Sequence, residues 1–232
     1  MTLRTVEEYV SYQGEGPNTT RPTLFVRFAG CNFKCPGWPC DTQHAIQPSQ
    51  FKKLQTFWTA AKLADRILSF ETPNVCLTGG EVFLQNKTEL AECLELVKST
   101  YPEWQIECFT NGGLAWDARL VGLIDTFIVD WKLPGSGEEY DPTPVLGDNL
   151  KILGDTDAIK FTIKDRRDYE EAKRRYKEHI QPLTDQPQIY AGVVWGAMQT
   201  EELCKWMLDD NLDWNLNVQV HKFVWDPNKQ GV

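Results

Sequence analysis

Cys31, Cys35 and Cys40 stand within ten residues on one segment, Cys31-Asn-Phe-Lys-Cys35-Pro-Gly-Trp-Pro-Cys40. Three thiolates on one loop can wrap one metal centre. An iron-sulfur cube usually takes four cysteines, so three leave one iron open to a substrate or cofactor; structural zinc wants four protein ligands, and His44 offers the fourth. A third outcome is three thiols packed as small hydrophobes. The remaining cysteines supply no obvious partner, because Cys76 and Cys108 fall inside expected strands and Cys93 and Cys204 on expected helix faces. A second candidate, Thr78-Gly79-Gly80-Glu81, presents glycine backbone and a carboxylate to a close-lying ligand amine, or is an ordinary tight turn.

Both motifs need a scaffold that brings them together. Thr23–Phe28 is β-branched and aromatic and delivers the chain to Cys31; helical spacing then runs from Phe57 to Phe70, and the buried strand Val75-Cys76-Leu77 leads into Thr78. Asn86 reads as the N-cap of a helix with Glu89 three positions on. The rhythm repeats with strand 105–109, a short helix at 118–123, strand 126–129, a Gly/Pro-rich loop from Leu133 to Gly147, strand 158–163, helix 168–180, strand 188–194, helix 200–209 and a last strand at 216–220. About six strands separated by helices imply a parallel sheet, open or curled into a partial or full barrel, whose chemistry collects at the strand C-terminal ends. The Cys loop, Thr78–Glu81, Thr110–Gly113, Asp130–Lys132 and His221-Lys222 all fall at that rim. The Pro134–Gly147 stretch is either a lid or a solvent loop.

Composition narrows the partners. The chain of 232 residues suits one domain, 1–232, with 41% hydrophobic content to bury. A net charge of −9 argues against a general nucleic-acid binder, so an anionic substrate must be met by local positive charge. The opening Met1-Thr-Leu-Arg-Thr-Val-Glu-Glu8 shows no secretory signal, and the longest nearly apolar run, 191–198, is far short of the ~20 residues that span a bilayer. The expectation is a cytoplasmic protein with reduced thiols.

A three-thiol loop after one strand and Gly79-Gly80-Glu81 after the next look like the radical S-adenosylmethionine enzymes, in which the open iron chelates the amino-acid part of the cofactor. Ser11–Pro17, Phe25–Asn32, Cys40-Asp41-Thr42, Asp130–Gly137, Lys160-Phe161 and Gln219–Lys222 resemble, in order, the 7-carboxy-7-deazaguanine synthases of the queuosine pathway. The resemblance implies a modified, partial βα TIM-like barrel with a cluster loop at 31–44 and a C-terminal extension at 221–232. It implies a lyase that turns 6-carboxy-5,6,7,8-tetrahydropterin into 7-carboxy-7-deazaguanine and ammonia, with a 4Fe-4S cluster on Cys31, Cys35 and Cys40, S-adenosylmethionine, and Mg2+ on Thr42. Trp38, Gly79, Gly80, Glu81, Asp130, Trp131, Lys132 and Lys160 would engage the cofactor. Gln13, Gly14, Glu15, Arg27, Thr78 and His221 would meet the pterin, Arg27 through its carboxylate. A homodimer and a reductant such as flavodoxin or ferredoxin follow from the same likeness.

Rival readings stand beside these. Arg27 can pair with a surface acid, Gln13 and Glu15 can stabilise the turn at Gly14 and Gly16, Asp41 can cap a helix or pair with Arg27, and His221 can be structural. The chain also departs from the family pattern: four residues rather than two precede Cys40, Val82 replaces a usual proline, Phe109-Thr-Asn-Gly replaces Glu-Thr-Asn-Gly with Glu107 nearby, and the C-terminus runs on to Val232. The alternatives are a glycyl-radical activase and, outside enzymes, a zinc-stabilised binding module.

Overall fold

The computed structural model describes residues 2–38, 40–226, 229 and 231. Its strands are β1 (Leu3–Tyr12), β2 (Pro22–Phe28), β3 (Thr56–Trp58), β4 (Asn74–Gly79), β5 (Gln105–Thr110), β6 (Thr126–Asp130), β7 (Ala158–Ile163), β8 (Gln188–Val193) and β9 (Asn215–Leu216). They form one sheet in the order β3-β1-β2-β4-β5-β6-β7-β8-β9. From β2 to β9 every pairing is parallel, while β1 runs antiparallel to β2 and β3 antiparallel to β1. The end strands β3 and β9 do not meet, so the sheet is an open βα barrel as expected.

The helices are α1 (Gln43–Ile46), α2 (Pro48–Leu54), α3 (Ala60–Leu68), α4 (Lys87–Thr100), α5 (Ala118–Val121), α6 (Thr143–Leu150), α7 (Arg166–Arg175), α8 (Thr200–Asp209) and α9 (His221–Val224). Leu63 and Ile67 of α3 and Leu90, Leu94 and Val97 of α4 share one core with Leu24, Val26, Leu77 and Ile106 of the strands, all buried. Each such side chain contributes roughly 1.5–3 kcal/mol by leaving water. Asn86 caps α4 by accepting from Glu89 N at 2.9 Å, as its spacing predicts.

Several expectations change. The N-terminal ten-residue strand β1 carries no clean alternation and was not anticipated. The helix expected from Phe57 begins at Ala60, because Thr56–Trp58 pairs with β1 instead. The helix expected at 168–180 runs over Arg166–Arg175 and continues as one π turn, Tyr176–Ile180. The Leu133–Gly147 loop contains a 3-10 turn, Pro134–Ser136, and most of α6; Pro144 in the first turn of α6 costs no hydrogen bond there. The last strand shrinks to Asn215–Leu216, and His221-Lys222 ride on the helical turn α9. Of the C-terminal extension, Pro227, Asn228, Gln230 and Val232 lie outside the described residues, as does Pro39 of the Cys loop. Among the described residues no helix is long and apolar enough to cross a membrane.

Candidate active site

The strand C-terminal ends open on a cavity of about 610 Å³. Cys31, Cys35 and Cys40 all line it, together with Arg27, Thr78, Gly79 and Gly80. Phe33 N and Asn111 Nδ2 approach Cys31 Sγ at 3.4 and 3.7 Å, the kind of donor that tunes a metal-bound thiolate. Burial pushes the Cys31 and Cys35 thiols up, to about 12 and about 11. The Lys132 ammonium pulls both down but does not offset burial, so both stay protonated, whereas a bound metal would reverse that balance.

The loop that holds these thiols is braced by the segment expected to be a lid or solvent loop. Glu138 accepts from Lys34 N at 2.7 Å and Cys35 N at 3.2 Å, fixing Cys35 at the left-handed φ of 44°. Gly37 N donates to Ser136 O at 2.6 Å, and Lys164 Nζ donates to Gly37 O at 2.7 Å. His44 does not turn toward the thiols: its Nε2 lies 3.0 Å from Glu7 Oε1. Among the described residues no three His, Cys, Asp or Glu side chains converge tightly enough for a single metal ion. Cys76 of β4 also lines the cavity, but it is fully buried beside Glu107 and Gln13 and does not belong to the loop; three loop thiols spread around one cavity suit a multi-iron cluster better than zinc.

Gly79 and Gly80 are required by contact as well as by any ligand. A Cβ on Gly80 would lie 1.8 Å from Gly30 O, and Gly79 sits at φ 120°. Glu81 is wholly buried beneath the cavity, accepting from Phe83 N (3.0 Å), Thr110 Oγ1 (2.8 Å) and Asn111 N (2.8 Å). Its oxygens are committed to tying β4 to the end of β5, and burial pushes its carboxyl up despite those donors. At the end of β6, strand alternation splits the Asp130-Trp131-Lys132 block. Asp130 and Lys132 line the cavity, while Trp131 is fully buried beside Phe161 and under the Arg175 guanidinium, so Trp131 cannot touch a cofactor there. Trp38 lines the cavity with Lys132 Nζ 5.9 Å from its ring centroid.

The floor is an ionic chain. Lys160 Nζ reaches Glu15 at 2.9 Å and Asp130 at 3.5 Å, and Lys132 Nζ reaches Asp130 at 2.9 Å. Asn217 Nδ2 and Gln219 Nε2 also donate to Glu15, at 2.9 and 3.2 Å. Gln13 accepts from Gly14 N (2.9 Å) and Glu15 N (3.3 Å) and donates to buried Glu107, so it shapes the turn. Val220 N donates to Gly14 O at 3.1 Å, bringing His221 against that turn at the cavity wall. Burial lowers the His221 pKa, more than neighbouring Glu15 raises it. Thr42 Oγ1 lies 3.4 Å from Cys40 Sγ and 3.5 Å from Gly79 O. Asp41 is not the partner of Arg27: it pairs with Lys222 at 3.2 Å, and Arg27 pairs with Glu7 at 2.6 Å. Glu7, Tyr9, Glu138 and Asn217 were not singled out from sequence, and Asn111 only as part of the Thr110–Gly113 rim motif. Glu7 and Tyr9 share the two-residue period that ends at Gln13, a signal that was there to be read.

Comparison with known proteins fits this geometry. Residues 12–141 match the 4Fe-4S single cluster domain family model. A crystal structure of QueE from Escherichia coli superposes with a TM-score of 0.69 over 93% of each chain at 21% identity, which speaks to the fold alone. The fold and the three-thiol rim define a radical S-adenosylmethionine enzyme built on an open βα barrel. The 7-carboxy-7-deazaguanine synthase of Clostridium acetobutylicum is 34% identical over 100% of both chains, and that of Koribacter versatilis 31% identical over 99% of this chain and 100% of its own. The chain belongs to the 7-carboxy-7-deazaguanine synthase family.

Proposed function

We propose that this chain performs the reaction of its family, converting 6-carboxy-5,6,7,8-tetrahydropterin to 7-carboxy-7-deazaguanine with loss of ammonia. The observation that carries this reading is that Cys31, Cys35, Cys40 and Arg27 open into one cavity, so an iron-anchored cofactor and a carboxylated heterocycle would share one enclosure. When bound, the 4Fe-4S cluster and S-adenosylmethionine supply one-electron cleavage of a carbon–sulfur bond and hence hydrogen-atom abstraction. Everything else is positioning by the chain. Cys31, Cys35 and Cys40 hold the cluster; the Gly79-Gly80 backbone lies against the methionine end of the cofactor, with Glu81 fixing that turn from below. Asp130, Lys132 and Lys160 face its ribose and carboxylate, and Trp38 its adenine. Gln13, Gly14, Glu15, Thr78 and His221 shape the pterin pocket, and Arg27 takes the carboxylate.

Mg2+ belongs to this reading through Thr42, whose hydroxyl and the nearby Gly79 carbonyl are the hard oxygen donors that ion prefers. A homodimer, a flavodoxin or ferredoxin as electron donor, and a cytoplasmic setting complete it. The test is to give anaerobically reconstituted protein the carboxylated pterin, S-adenosylmethionine, Mg2+ and a reductant, then to assay the deazaguanine acid and ammonia. Both should appear, and replacing the three cysteines by Ala should abolish the brown cluster and the product together. Formation of 5′-deoxyadenosine without deazaguanine would reject the substrate, and a colourless protein holding one zinc would reject the whole reading.

A further inference from the structure

Strand β1 contains a bulge at Val6: Thr5 pairs with Phe28, but Glu7 pairs with Arg27. Thr5 and Glu8, three apart, therefore share the outer face. There Glu8 bonds the Thr5 hydroxyl and lies 3.5 Å from Arg66 of α3. Glu7 and Tyr9 are turned to the cavity instead, on the side of Arg27. Bulges beside functional sites re-aim side chains in this way. Arg27 Nε donates to Glu7 Oε1 at 2.6 Å and Nη2 to Tyr9 Oη at 2.9 Å. His44 steadies Glu7 from the other side at 3.0 Å, and the Tyr9 ring stacks on Phe25 with centroids 5.3 Å apart.

A guanidinium takes a carboxylate through one of two forks, Nε with Nη2 or Nη1 with Nη2. The first is filled by Glu7 and Tyr9. Resting on the reading of Arg27 as the carboxylate holder, we propose that Glu7 and Tyr9 are positioning residues that leave only the Nη1–Nη2 end of Arg27 to the substrate, so that the pocket selects a planar carboxylate by direction of approach. Burial pushes the Glu7 carboxyl up, but the His44 hydrogen bond and the Arg27 charge outweigh it and leave Glu7 ionised at neutral pH.

The test compares binding of 6-carboxypterin and of pterin lacking the carboxyl to cluster-bearing protein by calorimetry, with KM and kcat measured alongside. Wild type should prefer the carboxylated probe. Glu7→Ala and Tyr9→Phe should each cut that preference, Glu7→Ala by about tenfold, and raise KM more than they lower kcat, with S-adenosylmethionine affinity unchanged. Glu7→Gln keeps an acceptor for Nε and should retain most of the preference, and Glu8→Gln, on the outer face, should retain all of it. An unchanged preference in Tyr9→Phe and Glu7→Ala, an equal loss in Glu7→Gln and Glu7→Ala, or the same loss in Glu8→Gln would overturn the proposal. Absence of any preference in wild type would instead reject Arg27 as carboxylate holder, and this inference with it.

Discussion

Glu15 is held by Lys160, Asn217 and Gln219 at 2.9, 2.9 and 3.2 Å. Burial alone would raise its pKa, but the Lys160 charge and hydrogen bond prevail and bring it down to about 2. A carboxyl whose folded pKa lies below its unfolded value of 4.5 stabilises the protein above that value, and the contribution is lost as pH falls toward the folded one. The urea midpoint of wild type should therefore drop more steeply between about pH 5 and about pH 3 than that of Glu15→Gln, by tryptophan fluorescence. At neutral pH the variant should be less stable by about 3 kcal/mol, because buried Lys160 loses the nearer of its two paired carboxylates and is left with Asp130 at 3.5 Å. Parallel pH slopes in the two proteins would contradict this. Trp131 teaches the converse at the same scale. Its block was legible as a motif, but strand period two sends Asp130 and Lys132 to the cavity and Trp131 into the core, a consequence the sequence already contained.

Among the elements, those with an unbroken pattern were readable: β7 and α8 lie where their periodicity puts them. β1 was hidden because its bulge breaks alternation and its inward face carries Glu7 and Tyr9 rather than aliphatic residues. α6 was hidden because Pro142, Pro144 and Gly147 mark turns in most contexts, yet prolines at a helix start are harmless. The least legible relation was between two loops distant in sequence, since nothing near Lys34 announces that Glu138 will accept its N–H and that of Cys35. That brace makes a sharp prediction. Glu138→Ala frees both donors where Cys35 holds a left-handed φ that costs roughly 1–2 kcal/mol, so the loop should relax and iron per chain after reconstitution should fall several-fold. The sheet core does not involve Glu138, so the Tm of the cluster-free protein should move little. Full iron content in the variant would show that the thiols need no brace.

For the molecule as a whole, charge is arranged in opposition. Arg27, Lys132, Lys160, Lys222 and Lys229 line the cavity against Glu7, Glu15, Asp41 and Asp130, five cations to four carboxylates, a local balance of +1. The chain carries −9 in total, so everything outside the cavity sums to −10. An approaching carboxylate is repelled by the outer field at long range and attracted only near Arg27, whose contacts are buried and poorly screened. The Debye length shrinks from roughly 20 Å at about 0.02 M salt to roughly 7 Å at about 0.2 M, so added salt should silence the repulsion first and the attraction hardly at all. The KM for the carboxylated pterin should therefore fall, by about twofold, as salt rises over that range, whereas a site fed by a basic surface would show the opposite sign. Steady-state kinetics at two ionic strengths with kcat as internal control would check it. A KM that rises with salt would mean that the cavity field, not the acidic exterior, governs encounter.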